Sequence, residues 1–163
     1  MLTNAKFTGL LILLIPFLAA VNLRADDKPV QIALFNPVQI FPSETAITGV
    51  RLNLLYGSNA AVNGLDIGIV NRTTENQSVG VQWGILGISE RGFKGFQANS
   101  VNITYDDFIG LQIGFVNAVE DGNGLMIGVI NFAKRMYGVQ IGIFNLIGEG
   151  GAAAVLPIVN WSF

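Results

Sequence analysis

Residues 110–145 decide how this chain is read: Gly110–Asn117 is GLQIGFVN, Gly124–Asn131 is GLMIGVIN and Gly138–Asn145 is GVQIGIFN, with six residues between successive copies. The unit is Gly-apolar-Gln-apolar-Gly-apolar-apolar-Asn. Its recurring positions are Gly110, Gln112, Gly114 and Asn117, then Gly124, Gly128 and Asn131, then Gly138, Gln140, Gly142 and Asn145. A chain that repeats itself at a fixed interval builds its fold from that interval, so the unit comes before any single window.

Carried outward in both directions, the pattern gives nine units, starting at residues 29, 49, 64, 80, 95, 110, 124, 138 and 153. Only residues 37–48 stand apart, and Pro37 and Pro42 there indicate an irregular excursion or an extra edge strand. The second and fourth columns are apolar in every unit, and the sixth is apolar except at Ser100. The first and fifth columns are rich in Gly and the third in Gln. Apolar residues alternating with small or polar ones have a period of two, the signature of a strand, and contradict the three- and four-residue spacing of a helix. The chain is therefore expected to be all-β.

The eighth position is Asn at 36, 71, 102, 117, 131, 145 and 160. Asn closes Asx turns and tolerates left-handed backbone, so one reading is a strand-to-turn marker. The other is a ladder of stacked amides, which requires parallel coils. Charges lie almost entirely between the units. Inside them only Arg51 and Asp66 are charged, both in the third column of neighbouring units, and they are expected to pair because an unpaired buried charge is costly.

Composition narrows the function classes. The 163 residues are 51% hydrophobic and 12% charged, with no His and no Cys, which removes imidazole bases, thiol nucleophiles and disulfides. A net charge of −2 gives no basic footprint for nucleic acid. Lys6, the apolar run Leu10–Ala20 and the polar Asp26-Asp27-Lys28 after Ala25 have the layout of a secretory signal peptide over residues 1–25. The expectation is an exported chain, at the outer membrane or cell surface, whose residues 26–163 form one β-repeat domain.

Two architectures accommodate the units. In an antiparallel outer-membrane β-barrel the Leu/Ile/Val/Phe face meets lipid, Gly and Gln fill a narrow interior, and charge stays in the loops. The terminal alternation Val155, Pro157, Val159, Trp161, Phe163 supports it, because a last strand ending in Phe resembles the recognition signal of bacterial outer-membrane barrels. The odd unit count and Pro157 inside that strand count against it. The alternative is a β-solenoid of ~15-residue coils with the Leu/Ile face inside and the Gly/Gln face outside. The barrel is the leading expectation, with the membrane and the barrel-assembly machinery as partners. Replacing Gln112 by Leu is expected to separate the two, since it disturbs a barrel interior and is tolerated on a solenoid exterior.

GLQIGFVN and GVQIGIFN, with the lead-in LFNPVQIFP and RLNLLYGSNAAVNGLDIGIVN, resemble a family of bacterial surface-repeat proteins of spirochaetes and other double-membrane bacteria. The resemblance spans the region after residue 28 and departs from the pattern at Asn99, Ala153 and Pro157. It implies a surface or outer-membrane address and brings no catalytic residue.

Other constellations have plainer readings. The serines have no His partner and no nucleophile-elbow context. Asp121-Gly122-Asn123-Gly124 lacks the alternating ligands of a calcium loop and reads as a turn. Trp83, Tyr105, Phe108, Phe115, Tyr137 and Trp161 read as core or interfacial aromatics rather than a ligand platform. No catalytic, metal or cofactor site is expected. The functional expectation is a non-enzymatic outer-membrane or surface protein with a structural or adhesive role, or alternatively a secreted or surface-bound solenoid interaction module able to self-associate. An exported hydrolase is the third option, restricted to carboxylate chemistry.

Overall fold

The computed structural model describes residues 28–163, and the expected signal peptide lies outside them. Its strands are β1 (Val30–Phe35), β2 (Val38–Gln39), β3 (Ala46–Asn59), β4 (Ala61–Thr73), β5 (Ser78–Ser89), β6 (Phe93–Glu149) and β7 (Val155–Ser162), in sheet order β2-β1-β3-β4-β5-β6-β7. β6 has 57 residues and, drawn straight, would span roughly 190 Å. It winds instead.

The pairing identifies the architecture. β1, β3, β4, β5 and β6 pair in sequence, and every pair is parallel. The register places Gly49 beside Gly64, Gly64 beside Gly80 and Gly80 beside Gly95, so each repeat unit stacks on the next. The stack continues within β6, where Gly110 faces the carbonyl of Gly95, Gly124 that of Gly110 and Gly138 that of Gly124. This is a β-solenoid with one repeat per coil. The antiparallel barrel is overturned: a barrel of these units needs up-and-down neighbours, whereas a chain that returns to the same register after each unit can only stack in parallel.

The faces are the reverse of those expected for a solenoid. In the coil starting at Gly95, the buried side chains are Gln97, Asn99, Asn102, Thr104 and Phe108, while the apolar columns point outward. The coil bends where consecutive residues turn out together, at the sixth and seventh positions and again at Tyr105–Asp107. A third bend falls at the first-column glycine. At Gly124 φ is +136° and a Cβ would overlap the carbonyl of Gly110, so both conformation and space demand Gly.

Both ends of the stack are closed by a reversed strand. β2 runs antiparallel to β1 through Ala33–Gln39 and Phe35–Val38, which makes the proline-flanked excursion an edge strand. At the other end β7 runs antiparallel to the last coil, with Ser162 beside Gly138, Trp161 beside Val139 and Asn160 beside Gln140. The unit starting at Ala153 is therefore not a ninth coil. The Gly-rich turn before it, with φ +74° at Gly150, reverses the chain. Pro157 sits where the ladder shifts register between Gly142 and Asn145, so its missing N–H interrupts no regular pair. Trp161 and Phe163, expected as a barrel signal, belong to this cap, where the Phe163 ring packs edge-on against Tyr137 at 5.7 Å. Removing residues 150–163 uncovers the donors and acceptors of Gly138–Leu146, and the shortened chain is expected to associate end to end in sedimentation velocity. A shortened chain that stays monomeric would show that β7 does not protect this edge.

Candidate functional site

The third column forms the spine of the interior. Arg51 donates from Nε and Nη2 to the two carboxylate oxygens of Asp66, both at 2.8 Å, and the pair is fully buried. Gln82 donates to Asp66 Oδ2 at 3.0 Å, Gln97 to Gln82 Oε1 at 3.0 Å and Gln112 to Gln97 Oε1 at 2.8 Å. One ladder of side chains thus climbs the stack from an ion pair. It stops at Met126, whose sulfur takes the next place, and leaves Gln112 Oε1 without a partner. Gln140, one coil further on, donates to the Met126 sulfur at 3.6 Å and to the carbonyl of Leu146 at 3.2 Å.

The eighth column forms a second ladder. Asn102 donates to Asn117 Oδ1, Asn117 to Asn131 Oδ1 and Asn131 to Asn145 Oδ1, each at 2.8 Å. The same amides reach the carbonyls of Ile113, Ile127 and Ile141 in the next coil, each at 3.0 Å. Of the two roles open to these asparagines, the stacked ladder is the one observed. Asn160 is no part of it; from the reversed cap it donates to the carbonyls of Asn145 and Ala153. The fifth-column glycines make room for this ladder: a Cβ on Gly114 would overlap the carbonyl of Asn99 and press on Asn102.

Two departures from the repeat prove to be compensations. Where the fifth position is Asn99, the eighth position one coil earlier is Gly87, and a Cβ on Gly87 would overlap the Asn99 amide. Asn99 donates to Asn102 Oδ1 at 2.7 Å and to Gln82 Oε1 at 3.1 Å, filling the gap in the ladder. In β3 a one-residue shift brings Gly57, not Tyr56, beside Asn71, and Asn53 fills the space over Gly57 and donates to Asn71 Oδ1 at 2.8 Å.

The tenth column completes the interior and divides it. Asn59, Thr73, Ser89 and Thr104 occupy it in the first coils, with Asn59 and Thr104 bonded to Arg51 and Gln97. Val119, Ala133 and Ile147 follow, and with Phe93, Phe108, Met126 and Met136 they form an apolar cluster at the C-terminal end.

The exterior concentrates what this chain presents to a partner. Because the Gln and Asn columns face in, the second, fourth and sixth columns face out, and over the eight stacked units Ser100 is their only polar member. Apolar side chains at the sixth–seventh bend stand well out: Phe115 is 68% exposed, Leu54 63% and Ile143 60%. Ala98 and Ser100, smaller than their neighbours, leave a dent of about 490 Å³ walled by Trp83, Ile113 and Phe115. Of the six aromatics singled out in the sequence, Phe108 is core and the other five are exposed.

Charge gathers at the next bend along the coil, at Glu90–Arg91, Asp106–Asp107, Glu120–Asp121 and Lys134–Arg135. Lys134 bonds Glu120 at 3.1 Å and Arg135 pairs with Asp121, linking successive coils. The Arg135 hydrogen bond holds the Asp121 carboxyl below the usual carboxylate range. Among the described residues no group of three or more His, Cys, Asp or Glu is placed to hold a metal. Comparison with protein-family models, with curated proteins and with solved structures finds no match to this chain.

Replacing Gln112 by Leu severs its bond to Gln97 and should lower stability by about 1–3 kcal/mol in chemical denaturation, although the fold is a solenoid. Asn99→Gly and Gly87→Asn should each destabilise, the first by leaving Asn102 Oδ1 without its donor and the second by overlap. The double variant restores the common pattern, so a double-mutant cycle should give a favourable coupling of about 1–2 kcal/mol. Additive losses would refute the compensation.

Proposed function

We propose that this chain is an exported, non-enzymatic β-solenoid that serves as an interaction module at the outer membrane or cell surface, with a structural or adhesive role. The supporting observation is the segregation of the exterior: apolar columns over most of the coil and charge at one bend. A surface of this kind left in water is an association hazard, and exposed apolar area beyond a few hundred Å² ordinarily marks a contact site. The signal-peptide layout of residues 1–25 agrees with an address outside the cytoplasm. Charged side chains are used to tie coil to coil rather than to build a site, as in Lys134–Glu120.

The test is to express the full chain with its own N-terminal segment in a double-membrane bacterium and fractionate the cells. Recovery with the outer membrane, release by detergent but not by high salt, and sensitivity to added protease on intact cells are the expected results. Recovery in the cytoplasm with residues 1–25 still attached would refute the reading.

A further inference from the structure

The proposed surface role leaves the partner of the apolar exterior open, and the arrangement of side chains around the coil narrows it. We infer that the partner is a lipid surface: the solenoid lies with its axis in the plane of a bilayer leaflet, its sixth–seventh bend immersed in the acyl chains and its charged bend in water. This rests on the interaction-module reading above.

Four observations carry it. The apolar surface is not confined to one side of the coil. It runs from the second, fourth and sixth columns round the bend through Val70, Leu86, Val101 and Val116 to Ile88, Ile103 and Phe132 in the ninth, a column interrupted by Arg72, which pairs with Glu90. A second copy docked on one side would leave the other bare, whereas hydrocarbon covers both. Protein interfaces are also ringed by polar groups, and the only polar residue in three whole columns here is Ser100.

In the three-sided coil the charges lie at the bend facing the side built by the second, fourth and sixth columns, so a single waterline separates that side from them. The three tyrosines border charge: Tyr105 precedes Asp106 and Asp107, Tyr137 follows Arg135 by two residues, and the Tyr56 hydroxyl accepts a bond from Arg72 Nη1 at 3.3 Å. Tyr belongs at such a boundary because its ring is apolar and its hydroxyl needs water or a partner. Both tryptophans, with Phe115 and Phe144, lie on the apolar side.

The backbone also suits hydrocarbon. A surface in lipid must satisfy its own N–H and C=O groups, and here they pair from coil to coil along the sides while β7 covers one end and the two-residue β2 part of the other. The polar side chains that would be costly in lipid, the Gln and Asn ladders and the Arg51–Asp66 pair, are internal and bonded to one another.

Trp83 and Trp161, the only two tryptophans, make the test direct. The purified full chain is mixed with zwitterionic phosphatidylcholine vesicles whose acyl chains are plain or brominated. Fluorescence of the parent, and of the Trp83→Phe and Trp161→Phe variants, should be quenched by the brominated chains and be insensitive to ionic strength. A tryptophan placed at Asp121 in a chain lacking the other two should stay unquenched. Phe115→Asp with Ile143→Asp should cut vesicle binding tenfold or more, since charge on a lipid-facing position is costly, with the far-UV spectrum unchanged. Quenching of the parent decides the matter even if that variant fails to fold. A monodisperse dimer whose tryptophans are shielded without lipid, or a chain that ignores the vesicles, would overturn the lipid partner. If either occurs while the cell fractionation still places the chain at the outer membrane, the surface role stands and only the lipid partner falls.

Discussion

The structure depends on one constraint: a polar group taken out of water must find a partner. The third and eighth columns fill much of the space inside each coil with Gln and Asn rather than with apolar side chains. A carboxamide has both a donor and an acceptor, so a column of identical amides satisfies itself only when each copy sits directly above the last at the spacing of a parallel sheet. That requirement holds the coils in register, and a slip by one residue would leave whole columns unbonded. The Arg51–Asp66 pair belongs to the same scheme: Asp66 accepts from Arg51 on one side and Gln82 on the other, so the charges are members of the ladder and not an exception to it.

Turning the amides inward sends the large apolar side chains out. Glycine mediates between the two sides, since the first-column residue bends the chain and the fifth-column residue makes room for the Asn ladder. The exchange of Asn and Gly between Asn99 and Gly87 shows that an amide from the neighbouring coil can hold a ladder position when its own coil lacks one. The shift of the tenth column from Thr and Ser to Val, Ala and Ile relaxes the polar scheme toward the C-terminal end, and there Met126 can replace a Gln.

The repeat and its strand character were legible in the sequence because they depend on periodicity alone, although the unit at Ala153 reads as one more copy and is the reversed cap strand. The direction in which each face points was not legible. Alternation of apolar and polar residues is the same for a barrel and a solenoid, and for either face inward, so Leu111 and Ile113 are compatible with all of these arrangements. The general preference for burying the apolar face misplaced Gln112 on the exterior of the solenoid. The information lay instead in the identity of the other face. Columns of Gln and Asn flanked by Gly are poor at covering a water-facing surface and good at stacking, and Arg51 beside Asp66 in one column is what a buried polar spine requires. The reversal of the last strand was hidden because Val155, Val159 and Trp161 alternate equally well in either direction; only the Gly-rich turn before them hinted at it.

The two ladders point opposite ways. From Gln112 to Gln82 each amide hands its protons toward the start of the chain, while from Asn102 to Asn131 each hands them toward the end. A helix adds its peptide dipoles head to tail and accumulates partial charges at its tips. Where the two ladders run side by side, in the coils of Gln97 and Gln112, their side-chain dipoles oppose one another and limit the net polarity along the axis. The two ends can therefore close with ordinary strands, without counter-charges or caps to neutralise an accumulated field.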